Sequence, residues 1–209
     1  KRDWSSDVCS SDLVLGVVTK IKKNTTVTGE LQPIKKVVAR QLISNLDLSL
    51  SWWLANYYGV SWGASLELFV PLAPSTKSPL LSFTTTLTSG VQKKLTQPLL
   101  VSFNKSAERV ALAKQLVDKV LKRHEQVLIL VPETNYLEKW ADYLQPLSVV
   151  CYNAQLKQSD CRRALELIHS GEARVIVGTR AALFLPYQNL GGVIVDYADN
   201  ENYKQWDQN

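Results

Sequence analysis

Residues 174–196 read RVIVGTRAALFLPYQNLGGVIVD, and the two ends of this stretch decide the fold. Arg174–Gly178 (RVIVG) and Gly192–Asp196 (GVIVD) are short β-branched runs bounded by glycine, the pattern of strands buried on both faces of a parallel sheet. Each run ends in residues able to do chemistry. Gly178-Thr179-Arg180 follows the first and Asp196 closes the second. In open parallel sheets ligands bind beyond the carboxyl ends of the strands, so these positions are the first site candidates.

Outward from this stretch, strand and helix patterns alternate. The spacing predicts strands at Leu99–Phe103, Val127–Val131 and Ser148–Tyr152, and helices at Ser106–Arg123, Tyr136–Leu144 and Gln158–His169. Within the first helix Val110, Ala113, Val117, Val120 and Leu121 recur at helical spacing, as in a helix lying on a sheet. The succession predicts an α/β fold with a mostly parallel, doubly wound sheet from residue 99 to residue 209.

The amino-terminal part reads differently. Residues 1–13, KRDWSSDVCSSDL, repeat a Ser-Ser-Asp triplet without periodicity and are set aside as adapter-like or disordered rather than native fold. Val14–Lys22 has the alternation of a strand, with Lys20, Lys22 and Lys23 at its exit. Lys35–Ile43 follows as strand or helix. A helix capped by Ser49 is then expected to place Leu50, Trp53, Leu54 and Tyr57 on one apolar face, and a second covers Trp62–Phe69. Trp53 and Tyr57 are assigned to core packing over a base-stacking platform because they share that face. The module spans 14–74, and the Pro-, Ser- and Thr-rich stretch 75–98 reads as linker.

The chain has 209 residues and a net charge of +5, which becomes +6 without the first thirteen. With a pI near 9.1 this is compatible with a phosphate-rich partner. No apolar run reaches the ~18 residues of a membrane-spanning helix, and no secretory signal is visible, which points to the cytoplasm. Cys151 and Cys161, ten apart, lack the paired spacing of a zinc site and read as two thiols of a reducing compartment.

Several ordered segments resemble the primosomal protein N′ (PriA) family of replication-restart helicases. GTRAALFLPYQNLGGVIVD (178–196) resembles the family's stretch from its GTR motif into the Walker B strand, and Asn202-Tyr203-Lys204-Gln205 resembles the SYKQ that follows. VLILVPE (127–133) is similar to motif Ia. Leu31-Gln32-Pro33-Ile34, Trp53-Leu54-Ala55-Asn56-Tyr57-Tyr58 and Val70-Pro71 resemble the second half of its 3′ DNA-binding domain. The resemblance implies a partial, small, mainly β 3′ DNA-binding domain before the first RecA-like motor lobe, in a fragment truncated at both ends. It further implies forked or 3′-ended DNA and primosome or helicase-loading proteins as partners, with the family's zinc-binding cysteines lying beyond residue 209.

Against that family the nucleotide site is degenerate. A phosphate loop needs G-x-x-x-x-G-K-[ST] so that backbone N–H groups wrap the phosphates, lysine reaches the β and γ groups and a hydroxyl holds Mg²⁺. Counting back without gaps from VLILVPE places Arg109 at the lysine and Val110 at the hydroxyl, with no glycine in the loop. A shifted alignment uses Lys105-Ser106 as the K-[ST] pair. At the Walker B end the chain keeps Asp196, while Tyr197 stands where the family has the Glu that polarises water. The expectation is therefore a DNA-binding restart protein with no catalytic residue and no cofactor. ATP and Mg²⁺ belong to the alternative of an active 3′-to-5′ helicase, and a further alternative is a protein-interaction remnant that binds no DNA. DNA contacts are expected from Thr179, Arg180, Lys20, Lys22 and Lys23. Arg180 either grips phosphate or braces its loop against a carboxylate.

Overall fold

The computed structural model describes residues 16–19, 21, 24, 28–29, 33–35, 37, 39–40, 43–69, 81–82 and 97–204. Ala39–Arg40 (β1) pairs in parallel with Leu81–Ser82 (β2), so the stretch expected to be linker contributes a short strand. Between them lie Asn45–Tyr58 (α1) and Trp62–Glu67 (α2). Of the expected strand at 14–22, residues 16–19 and 21 are described and form no strand, while 14, 15, 20 and 22 fall outside the described residues; Lys20, Lys22 and Lys23 are thus all outside them.

Ser44, not Ser49, caps α1. Its hydroxyl accepts from the Asp47 N–H at 3.1 Å while the Ser44 N–H donates to the Asp47 carboxylate at 3.0 Å, a reciprocal box that satisfies two end donors at once. Gly59 then ends the helix in the left-handed region at φ 67°, where a side chain would be strained. The helix buries Ser51 and Ala55, and Ser65 of α2 donates its hydroxyl to Ser51 O at 2.7 Å. Small residues let α1 and α2 approach closely, and Trp62 joins the contact by donating its indole N–H to Ser51 Oγ at 3.0 Å and packing edge-on against Trp52, whereas Trp53 and Tyr57 lie away from it. Trp53 is 55 % exposed and Tyr57 67 %, which corrects their assignment to a core.

The lobe consists of Ser106–Leu121 (α3), Gln126–Leu130 (β3), Asn135–Tyr143 (α4), Val149–Tyr152 (β4), Gln158–Ser170 (α5), Val175–Gly178 (β5) and Leu190–Val195 (β6). Its four strands are parallel in the order β4-β5-β3-β6. Strand alternation splits the core in two. Val127, Ile129, Val175, Val177 and Ile194 face α3 and α4, whereas Leu128, Leu130 and Ile176 face α5. The doubly wound α/β expectation holds here element by element. The exception is Leu99–Phe103, which forms no strand and leaves Leu99 and Leu100 exposed, so β6 is an edge strand among the described residues.

Gln126 fastens the amino end of the sheet. Its buried amide donates to Ile168 O and Ala173 O, both at 2.8 Å, and its oxygen accepts from the N–H groups of Gln188 and Asn189 at 2.8 and 3.0 Å. At the opposite end, Gly178 lets the chain turn tightly out of β5. A Cβ there would lie 2.3 Å from Ala182 Cβ and 3.0 Å from Tyr152 O. Gly178→Ala is expected to destabilise the lobe by about 1–3 kcal/mol through overpacking. Ala182→Gly in the same chain should recover part of that loss, a coupling measurable by urea denaturation of the single and double variants.

Candidate functional site

The site lies beyond the carboxyl ends of β3, β5 and β6. Asp196 leaves β6 with its N–H still bonded to Leu130 O at 2.9 Å, and the residue is only 4 % exposed. A carboxylate held out of water needs a counter-charge and hydrogen bonds. Both come from helices on the same face of the sheet. Arg109 in the first turn of α3 forms an ion pair with Oδ1, and the buried Trp140 of α4 donates its indole N–H to Oδ2 at 2.7 Å.

The same guanidinium stacks on aromatic rings. Its Cζ lies 4.5 Å from the centroid of Tyr197 and 5.5 Å from that of Trp140. Tyr197 takes a left-handed backbone conformation at φ 49°, which costs a non-glycine residue roughly 1–3 kcal/mol and requires compensation. Its contacts with Arg109 and with the Tyr136 ring, 5.4 Å between centroids, provide this. Burial works against the Arg109 cation, but the hydrogen bond and charge of Asp196 outweigh it and raise the Arg109 pKa. Tyr203 closes the turn by donating its hydroxyl to Asp196 O at 2.8 Å. Burial, aided by the Asp196 charge, pushes that phenol well above its ordinary range.

Of the residues expected at a nucleotide site, the structure brings Arg109 and Asp196 together and leaves the alternative pair apart. Lys105 occupies the capping position of α3 without a side-chain capping bond and is exposed. Ser106 lines an open depression of about 430 Å³ with Ala107, Val110, Ala111, Lys114 and Tyr143, which includes neither Arg109 nor Asp196. Trp140 and the stacking role of Tyr197 were missed in the sequence. Arg109 is expected from the sequence at the phosphate-loop lysine position, and its pairing with Asp196 is a finding of the structure.

The GTR turn is the second part of the site. After β5, Thr179 commits its N–H to Tyr152 O at 3.1 Å, and Arg180–Ala182 forms a 3-10 turn. Tyr187 donates its hydroxyl to Ala182 O at 2.6 Å and steadies that turn from below. Arg180 is exposed, and among the described residues no hydrogen bond or ion pair engages its guanidinium. A bracing carboxylate is therefore not part of this turn. Cys161 is buried with its Sγ 3.5 Å from the Tyr152 hydroxyl, and burial raises the Cys151 thiol, so neither cysteine is poised as a nucleophile.

Two family models match the chain, in sequence order. Residues 10–71 match the 3′DNA-binding domain (3′BD), and residues 108–183 match the helicase conserved C-terminal domain. Among curated proteins, the replication restart protein PriA of Helicobacter pylori is 25% identical across 76% of this chain, and that of Rickettsia prowazekii 24% identical across 92%. The replication restart protein PriA of Bacillus subtilis is 30% identical over 44% of it. The chain belongs to the PriA family. Its fold is a RecA-like α/β lobe preceded by a 3′ DNA-binding module. The PriA-family chain spans less than a third of the length of these relatives, 27% of the Helicobacter, 32% of the Rickettsia and 12% of the Bacillus protein.

Asp196→Ala is expected to cost about 3–5 kcal/mol of folding stability, because it strands a largely buried guanidinium and an indole N–H. Replacing Arg109 and Asp196 together by leucine removes the unpaired charge, and thermal melts should place the double variant well above Asp196→Ala.

Proposed function

We propose that this PriA-family chain is the DNA-binding part of a replication-restart protein whose lobe does not hydrolyse ATP. The observation that carries the reading is the closed pairing of Asp196. A magnesium ion organised by this carboxylate needs one of its oxygens, directly or through water. Here one oxygen belongs to Arg109 and the other to Trp140. Arg109 thus supplies from within the chain the positive charge that a bound metal would otherwise bring. The segment before α3 has no glycine to wrap phosphates, and Tyr197 has no carboxylate to polarise water. The residues present do not fit Mg²⁺-ATP, so no catalytic step is derived through it.

We read the lobe as the first of two motor lobes, since a strand-end Asp196 followed by Asn202-Tyr203-Lys204-Gln205 resembles the Walker B region. The match of 108–183 to a helicase C-terminal domain supports a RecA-like architecture and keeps the alternative of an active 3′-to-5′ helicase in play. DNA is the partner favoured by the 3′ DNA-binding domain match and by the unengaged Arg180. Forked or 3′-ended DNA, primosome or helicase-loading proteins and a cytoplasmic setting complete the reading. No helix among the described residues is long and apolar enough to cross a membrane.

Phosphate release with forked DNA present separates the two readings. The expected result is no turnover above background; turnover abolished by Asp196→Asn in a folded chain would establish the helicase instead. DNA binding should persist without ATP, with a log K against log salt slope of about −0.9 for each duplex phosphate neutralised. Arg180→Ala should weaken fork binding by about 1.5–3 kcal/mol. Its melting temperature should stay unchanged, because none of the described residues is braced by the guanidinium. Arg180→Lys should lose part of that affinity, keeping the charge without the planar fork of donors. A large melting drop with unaltered affinity would reject the phosphate contact.

A further inference from the structure

Phe69 stands apart from the exposed aromatic residues of the amino-terminal module. Trp52, Trp53, Tyr57 and Tyr58 are open to solvent, whereas Phe69, just beyond the end of α2, is 5 % exposed. The ring that packs on it belongs to the lobe. Phe184 lies against Phe69 with 4.6 Å between ring centroids and 43° between ring planes, a spacing within the range of favourable aromatic pairs.

Both rings stand on firm supports. The Phe69 N–H donates to Leu66 O at 3.0 Å, and α2 is held on α1 by Ser65 and Trp62, which donate to Ser51 O and Oγ at 2.7 and 3.0 Å. Phe184 follows the Arg180–Ala182 turn. It stands between Ala182, whose carbonyl accepts from the Tyr187 hydroxyl, and Leu185, which is buried in the core on the α5 side of the sheet. A displacement of α1 and α2 is therefore felt four residues from Arg180, through packing and not through the covalent connection at 83–98.

We propose that Phe69 and Phe184 are a positioning pair, holding the 3′ DNA-binding module at a fixed separation from the GTR turn so that one DNA meets both. The inference rests on the DNA contact assigned to Arg180 above, and adds how that contact is coordinated with the module. When one DNA is bound at two places on a chain, the second contact is intramolecular, and its strength depends on how closely the two places are held at the required separation. The aromatic pair does this holding. Neither ring touches DNA itself.

Fork affinity of the whole chain, measured by fluorescence anisotropy on a labelled fork with a free 3′ end, tests this through the combination of variants. Phe69→Ala and Phe184→Ala should each weaken binding about tenfold, and together by no more than either alone, because both remove one contact. Leucine at either position keeps an apolar contact and should restore most of the affinity. Arg180→Ala is expected to lose about ten- to a hundredfold in the parent chain but only a few-fold in the Phe184→Ala background, because a turn freed from the module contributes less to the same DNA. Far-UV circular dichroism should be the same for every variant, and attacking the contact from both sides separates a loss of positioning from a local defect in either unit. Losses for Phe184→Ala and Arg180→Ala that simply multiply would overturn the positioning role, as would parent-like affinity in both alanine variants while Arg180→Ala still weakens binding. Parent-like affinity in Arg180→Ala itself would remove the DNA contact at the turn and the positioning role with it.

Discussion

A carboxylate at the end of a central β-strand has to be neutralised where water does not reach, and the lobe is arranged around how this is done for Asp196. One oxygen is held by the first turn of α3 and the other by the middle of α4, so a single side chain fixes the rotation of both helices on that face. The apolar residues follow. With Arg109 fixed at the carboxyl edge, Ala113, Val117 and Val120 come down onto the sheet in succession, and Gly192 leaves room for Val120, whose Cγ2 would be 2.8 Å from any added Cβ. Burial of this kind is weak evidence for stability as such, because desolvation consumes much of the Coulomb gain. Its effect is on orientation, and the α3–α4 face has few other polar anchors among the described residues.

Most of the lobe was legible in the sequence, because its helices carry apolar residues at 3.6-residue spacing and its strands are short β-branched runs. Periodicity states which residues share a face; it does not state what covers that face. Leu99–Phe103 has the composition of a buried strand and yet forms no strand and is largely exposed, and α1 has an aromatic face that is exposed. The α1 cap could have been read. Ser44 with Asp47 three residues later is a capping pair, whereas Ser49 lies inside the helix and returns its hydroxyl to Asn45 O. The candidate site was half legible. Gapless counting found Arg109 and Asp196, but Trp140 sits in a helix whose sequence says only that one side is apolar.

The two ends of the candidate site diverge in a way that bears on the PriA family. On one side, groups that could hold a nucleotide are spent on each other, with Arg109 inside an aromatic sandwich that accommodates the left-handed Tyr197. On the other, the turn after β5 is rigidly built on Gly178, Tyr152 and Tyr187, and presents Arg180 to solvent. Rigid support beneath an exposed cation suits recognition, since little rotational freedom of the backbone remains to be lost on binding.

Gln126 has a consequence for where this lobe could be altered. Its amide takes four hydrogen bonds, and two of the donors are main-chain N–H groups of Gln188 and Asn189, in a connection that has no regular structure. That connection belongs mechanically to the sheet. An insertion at 188–189 would unseat an amide anchored at the same time to α5 and to the entrance of β5, and would leave buried donors and acceptors open. The turn at 153–157, whose side chains are largely exposed, carries no such obligation. Two loops that look alike in sequence therefore differ in evolutionary freedom: the second can lengthen and diversify, while the first is held to its length.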